Sequence, residues 1–72
     1  MTQEARLLEY LQTHDAGIKP LEALHELGIY RLSARIKDLR DRGHNIVTNK
    51  VAVATAHGGT AWVAEYRLVK ND

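Results

Sequence analysis

Residues 20–43 read PLEALHELGIYRLSARIKDLRDRG, and this stretch decides the fold of the 72-residue chain. Apolar residues recur every three or four positions along it, in two runs that a glycine separates. Proline suits the first turn of a helix, and glycine suits the residue just after its last turn. The stretch therefore predicts two consecutive helices, over residues 20–27 and about residues 30–42, joined by a tight turn in which Ile29 is buried.

The second of these helices carries half of the basic residues of the chain and a net positive charge. Residues 31–42 contain five basic and two acidic residues, a net charge of +3, whereas residues 1–30 carry −3 and residues 43–72 carry +1. Its apolar residues form a single stripe that faces the core: Leu32, Ile36 and Leu39. Charge distributed in this uneven way bears on what the chain binds rather than on how it folds.

The segments on either side supply the remaining elements. Thr2 suits an N-cap, and the apolar residues that follow it at helical spacing predict a first helix over residues 3–14. After residue 43 the apolar period changes from about 3.6 to two, and a Gly-Gly pair separates two strand-like runs. Such a pair predicts a β-hairpin, here over about residues 46–69.

A turn centred on the Gly-Gly pair fixes the expected register of this hairpin. It would place Val53 opposite Ala64 and Val51 opposite Tyr66. We then expect five apolar side chains to share the face that lies on the helices: Val51, Val53, Trp62, Tyr66 and Leu68. Trp62 would be partly exposed only if the hairpin extended beyond the helices, and it would then be a candidate contact for a partner or a second copy.

The predicted order of elements is helix, short extended step, helix, tight turn, helix and hairpin. This is the order of a winged helix-turn-helix domain. The sequence therefore predicts an α+β fold in one domain over residues 1–72. In this fold a three-helix bundle is followed by a long β-hairpin wing.

The chain resembles a family of small phage and prophage helix-turn-helix proteins over about residues 4–69. Members of that family share the pattern LGI.RL.ARI.DLR..G and a closing YRL, which residues 27–43 and 66–68 match here. The resemblance implies sequence-specific binding of double-stranded DNA by a phage transcriptional regulator. Because one fold serves many functions, the residues themselves must support that role.

In a helix-turn-helix, the N-terminal part of the second helix of the motif meets base edges in the major groove. We predict base contacts for five outward residues: Tyr30, Arg31, Ser33, Ala34 and Lys37. Arg31 suits a bidentate contact with guanine, and Ala34 suits a thymine methyl group. We predict phosphate contacts, which position without specifying, for three others: Arg35, Arg40 and Arg42. The same surface is also compatible with a solvated helix face whose opposite charges pair at i, i+4.

The wing offers a second group of candidates for phosphate or minor-groove contact: Lys50, His57, Thr60 and Arg67. The glycines beside His57 serve mainly the geometry of the turn, and a plain role as a turn residue is the alternative for His57 itself. One small module reads few base pairs, so a homodimer on paired half-sites is a further expectation.

Composition and motif content exclude several other classes. The chain has no cysteine, so disulfides and thiolate metal sites are absent. Its start is not a signal peptide and no apolar run could span a bilayer, so we expect a soluble, cytoplasmic protein. The four histidines lack metal-ligand spacing, and HELG lacks the second histidine of HExxH. We expect no enzyme, no metal and no cofactor.

The modest net charge of +1 keeps a second function open. A winged helix can serve as a protein-interaction module that inhibits or recruits a host protein, with the acidic first two helices or the hairpin around Trp62 as its interface. Salt-sensitive binding to duplex DNA would favour the first function, and a stoichiometric protein partner retained without nucleic acid would favour the second.

Overall fold

The computed structural model describes residues 2–70, so residues 1, 71 and 72 of the predicted domain lie outside the described residues. Three helical segments precede a two-stranded antiparallel sheet, in the predicted order. Helix α1 spans Gln3–Thr13, α2 spans Pro20–Glu22 and continues as a π-helical segment over Ala23–Leu27, and α3 spans Leu32–Asp41. Strand β1 spans Ile46–Ala54 and β2 spans Thr60–Leu68.

The helix ends use the residues that the sequence offers for capping. Thr2 is the N-cap of α1, because its Oγ1 accepts a 3.1 Å hydrogen bond from the Ala5 amide. At the start of α2, the Lys19 amide donates to Glu22 Oε1 at 2.9 Å. Gly28 ends the π-helical segment in the left-handed conformation, with φ of 68°. These caps satisfy main-chain groups that have no partner inside a helix.

Helix α3 begins two residues later than the sequence predicts, at Leu32 instead of Tyr30. Ile29 is buried in the core, and its amide donates to the Ala23 carbonyl at 3.0 Å. The chain must then turn outward before it can form a helix, and Arg31 accordingly has non-helical angles, φ −113° and ψ 68°. Tyr30 therefore lies in the turn rather than on the helix, with 84% of its surface exposed.

One core holds the three helices and the near end of the hairpin together. The buried residues come from α1, the π-helical segment, α3, β1 and the connections on either side of α2 and that segment: Leu7, Leu11, Ile18, Ala23, Ile29, Leu32, Ile36, Leu39 and Ile46. Tyr66 and Leu68 of β2 pack against this group and are partly buried. The base of the hairpin is therefore fixed to the helices by burial of apolar surface.

The extended step between α1 and α2 is paired to β2. The Ile18 amide donates to the Tyr66 carbonyl at 2.8 Å, and the Tyr66 amide donates to the Ile18 carbonyl at 2.9 Å. Gly17, just before this pair, has φ of 86°, and a Cβ atom there would overlap the Tyr66 carbonyl oxygen. The close approach of the two chain segments therefore requires glycine at this position.

The expected register of the hairpin is wrong by three residues. Val51 lies opposite Val63 and Val53 lies opposite Ala61, not opposite Tyr66 and Ala64. The connection is a five-residue loop over residues 55–59, closed by a 2.9 Å hydrogen bond from the amide of residue 55 to the carbonyl of residue 59. A two-residue Gly-Gly turn would have placed the strands differently.

This shift of an odd number of residues moves side chains between the two faces of the sheet. Val51, Val53 and Val63 share one face, and Trp62, Tyr66 and Leu68 lie on the other. The expectation that all five apolar side chains share one face is therefore wrong. Trp62 lies near the tip and is 69% exposed, as expected for a hairpin that extends beyond the helices.

Candidate nucleic-acid interface

The outward side of α3 and the turn before it expose the residues predicted to contact bases. Tyr30, Arg31, Ser33 and Lys37 are exposed, and Ala34 is partly buried. The first turn of α3 contains no acidic residue. The two aspartates of the helix, Asp38 and Asp41, lie in its second half. The N-terminal half of α3 is therefore the more positive half.

The basic residues of α3 fall into two groups by their ion pairs. Arg35 Nη2 lies 3.3 Å from Asp38 Oδ2, and Arg42 Nη2 lies 3.2 Å from Glu4 Oε2 on α1. Arg31 and Lys37 make no ion pair with any residue between 2 and 70. These two side chains can meet an external anion without giving up an internal one.

Arg35 also lines a small cavity of about 290 Å³ at the N-terminal end of α1, together with Gln3, Tyr30 and Arg31. Its Nε atom is buried and has no hydrogen-bond partner among the residues that the structure describes. A buried donor without a partner is costly. This atom is therefore a position at which an acceptor from outside the chain would be stabilising.

Arg40 is engaged inside the molecule. Its Nε and Nη2 atoms donate to the Ile46 carbonyl at 3.0 and 2.7 Å, and Nη2 also donates to Thr48 Oγ1 at 2.8 Å. The guanidinium carbon lies 6.0 Å from the centre of the Tyr66 ring. Arg40 thus connects α3 to both strands of the hairpin.

The wing candidates are exposed but widely separated. Lys50 lies in the middle of β1, His57 lies in the loop at the tip, and Thr60 begins β2. Between residues 51 and 64 the chain contains no Asp, Glu, Lys or Arg. The outer half of the wing therefore offers no fixed charge to a phosphate group.

An apolar groove of about 660 Å³ separates α2 from the wing. Its apolar lining includes five side chains that come from α2, the turn and both strands: Leu21, Leu24, Tyr30, Val53 and Val63. At its edge, Lys19 Nζ lies 3.7 Å from Glu22 Oε1 and 3.3 Å from Glu65 Oε2. Because Tyr30 and the outer strands border one groove, the start of α3 and the outer wing lie on the same side of the molecule.

Sequence reasoning did not identify this groove or the role of Arg40. Leu21 and Leu24, two apolar residues of the predicted helix over residues 20–27, are 66% and 36% exposed. On a helical wheel, Arg40 lies on the same flank as Ser33, beside the buried Leu39. This position was the available sequence signal for its contact with the hairpin. No sequence pattern distinguishes a cation held inside the chain from one that is free.

The histidines do not gather into a site. Within residues 2–70, no group of three or more His, Cys, Asp or Glu side chains could hold a metal ion. The His14 ring stacks on Tyr10 with 3.7 Å between ring centres, and its Nδ1 lies 2.9 Å from the Tyr10 carbonyl oxygen. In the same range, no helix is long and apolar enough to cross a membrane.

Comparison with known proteins assigns the family. The model of a protein family described as "winged helix-turn-helix domain" matches residues 2–71, which is nearly the whole chain. Neither the curated proteins nor the solved structures contain a match. The matched length, the three helices and the antiparallel hairpin agree with one another. The chain therefore belongs to the winged helix-turn-helix domain family.

Proposed function

We propose that the chain is a DNA-binding protein, a phage or prophage transcriptional regulator that acts in the cytoplasm. It binds duplex DNA with α3 in the major groove and with the hairpin as a wing. Winged helix-turn-helix domains typically bind DNA and are typically not enzymes, and we propose neither a catalytic step nor a cofactor. The phage role rests on the sequence resemblance alone.

One observation carries this proposal above the others. Arg31 and Lys37 are exposed and make no ion pair within the described residues, and the first turn of α3 contains no acidic residue. A helix that enters the major groove presents its N-terminal residues to base edges, where a free arginine pairs well with guanine.

We assign the candidates to three proposed roles. Tyr30, Arg31, Ser33, Ala34 and Lys37 face the bases. Arg35 and Arg42 bind phosphates by exchanging an internal carboxylate for an external anion, and Lys50, His57 and Thr60 of the wing contact the backbone or minor groove. We assign Arg40 to holding the wing, because a phosphate contact would require it to release the Ile46 carbonyl.

Selection of duplexes from a random library, followed by filter binding at several salt concentrations, tests the proposal. We expect an enriched motif and an affinity that falls as salt rises, because phosphate contacts release counterions. Failure to recover any duplex that binds in a salt-sensitive manner would contradict it.

A matched pair of variants sharpens this test. Lys37→Ala should weaken binding to the selected duplex, whereas Arg6→Ala should not, because Arg6 is an exposed cation on α1 that makes no ion pair with any residue between 2 and 70. Both changes remove one positive charge, so an equal loss for both would show that net charge, rather than α3, governs the affinity.

The apolar groove favours one second candidate function, a protein-interaction module that inhibits or recruits a host protein. Exposed apolar surface such as that of Leu21 and Leu24 is typical of a protein contact. A lysate pull-down treated with nuclease tests this function with Leu21→Ser as the matched variant. One stoichiometric partner that the variant loses, without any duplex selected, would replace the DNA proposal.

A further inference from the structure

The hydrogen-bond pattern of the hairpin shows which main-chain groups of β1 point away from β2. The Val69 amide donates to the Asn45 carbonyl at 2.8 Å, and the Thr55 amide donates to the Gly59 carbonyl at 2.9 Å. Bonded and non-bonded pairs alternate along an antiparallel ladder. Residues 45 and 55 are therefore both in bonded pairs, as is every second residue between them. The remaining β1 residues direct their amides and carbonyls outward, away from β2: Ile46, Thr48, Lys50, Ala52 and Ala54.

The inner part of this outward edge is covered, and the outer part is not. Arg40 donates to the Ile46 carbonyl and to the side chain of Thr48. The outward main-chain groups of Lys50, Ala52 and Ala54 have no hydrogen-bond partner among residues 2–70. The outer half of β1 is therefore an open strand edge.

Open edges in monomeric proteins are usually protected by charge, proline or a bulge, because they otherwise pair with another chain. Past Lys50, the outer wing has neither a charged residue nor a proline up to residue 64. Its pairing with β2 is continuous from Ala54 to Ile46 without a bulge. Among residues 2–70 no third strand pairs with this outer half, and a two-stranded ribbon that stands alone is only marginally stable.

We propose that a second copy of this chain covers this edge, with the two β1 strands antiparallel about a two-fold axis at Ala52. A symmetric contact places the same patch against itself, so a charged edge would repel its copy whereas an uncharged edge does not. This register puts Ala52 opposite Ala52 of the second copy and Lys50 opposite Ala54 of the second copy. It thereby keeps the two lysines apart.

The resulting four-stranded sheet satisfies the open main-chain groups of both wings. It also carries Trp62 of both copies on one face, since Trp62 shares a face with Ala52 in each hairpin. Arg40 does not interfere, because it occupies only the inner end of the edge. The contact uses none of the α3 residues predicted to meet bases, so it leaves that surface of α3 accessible.

Sedimentation equilibrium of the full chain without DNA tests this proposal. We expect a monomer–dimer equilibrium in the parent chain. Ala52→Lys should weaken dimerisation on the order of tenfold, because it places like charges directly opposite each other. Thr60→Lys adds the same charge to the outward edge of β2 and should leave dimerisation unchanged. Circular dichroism of both variants verifies that they fold.

Charge exchange makes the test specific to this register. Ala52→Glu alone should also weaken dimerisation, but an equimolar mixture of Ala52→Glu and Ala52→Lys should restore it as a heterodimer. Selective loss with restoration in the mixture supports the proposal. A chain that stays monomeric at all concentrations, equal effects at positions 52 and 60, or no restoration on mixing would each overturn it.

Discussion

The start of α3 and the outer half of the wing lie on the same side of the molecule but differ in charge. Among residues 2–70, Arg31 and Lys37 have no ion-pair partner, whereas residues 51–64 of the wing contain no Asp, Glu, Lys or Arg. A charged surface can exchange water and counterions for phosphate, and an uncharged strand edge can exchange water for main-chain partners. The difference suits the two contacts that we propose, with DNA at α3 and with a second copy at the edge of β1.

Two anchors hold these regions in their relative positions. The Ile18–Tyr66 pair ties the base of the wing to the step between α1 and α2, and Arg40 ties it to α3. Loosening either anchor should disturb the wing, whereas changing Arg31 or Lys37 should affect only binding.

The largest expected effect is at Gly17. Gly17→Ala should lower the free energy of unfolding by about 3 kcal/mol, because the new Cβ meets the Tyr66 carbonyl and the backbone is held at positive φ. Urea denaturation of both proteins measures the difference. Gly28→Ala is the control: it has a similar φ of 68° but no atom within 4 Å of the new Cβ, so about 1 kcal/mol is expected. If both variants lost the same free energy of unfolding, the close approach of Gly17 to Tyr66 would not explain the effect at Gly17.

Arg31 should show the next largest effect, on recognition rather than stability. Arg31→Ala should reduce discrimination between the selected duplex and a single-base variant by about 2 kcal/mol, the value of one bidentate base contact. Arg42→Ala should instead weaken binding to both duplexes by a similar factor, because a phosphate contact carries no sequence information. Filter binding with the two duplexes compares them. If Arg31→Ala instead lowered the affinity for both duplexes by the same factor, Arg31 would belong with the residues that contact phosphates.

Arg40 should affect stability by about 1.5 kcal/mol in the absence of DNA, because three charge-assisted hydrogen bonds to the hairpin are lost in Arg40→Ala. Arg40→Lys should recover little of this, since one ammonium cannot reproduce the planar fork of donors. Urea denaturation measures both variants. If Arg40 instead contacted phosphate, stability would be unchanged and the salt dependence of binding would fall by about one charge.

The smallest effect is expected far from both regions, at Asp15. The hydrogen bond and charge of Lys70, whose Nζ lies 2.9 Å from Asp15 Oδ1, lower the pKa of this carboxyl. A lowered pKa in the folded state stabilises the fold above the unfolded pKa, and this contribution is lost as pH falls through the folded pKa.

Asp15→Asn should therefore be slightly less stable than the parent chain at pH 7 and equal to it once Asp15 is protonated. The side chain is 89% exposed, so added salt should reduce the difference. Urea denaturation of both proteins, at pH 7 and at a pH low enough to protonate Asp15, with and without salt, measures this difference in stability. A difference that grows as pH falls would contradict the assignment.

The helices and their order follow from the sequence because apolar spacing and capping residues act locally. Thr2 and Gly28 cap helices as expected, and Leu32, Ile36 and Leu39 are buried as their spacing predicts. The hairpin register does not follow, because a side chain decides the loop. Thr55 Oγ1 accepts the Gly59 amide at 3.0 Å and favours a five-residue loop over a Gly-Gly turn.

The candidate interface could be predicted only in part for a related reason. Sequence position places Arg31, Lys37 and Arg40 on or beside one helix, but it does not show which cation has an internal partner. Arg40 reaches Ile46 because α3 and β1 pack together, a consequence of the whole core rather than of local sequence. The open edge of β1 likewise depends on the register that the loop sets.

The most direct test of the central claim, that the N-terminal half of α3 reads DNA, is an amide chemical-shift titration with the selected duplex. We expect the largest changes at Tyr30, Arg31, Ser33 and Lys37, smaller changes around Lys50, and little change along α1. Changes confined to α1 and α2, with residues 30–37 unaffected, would contradict the account.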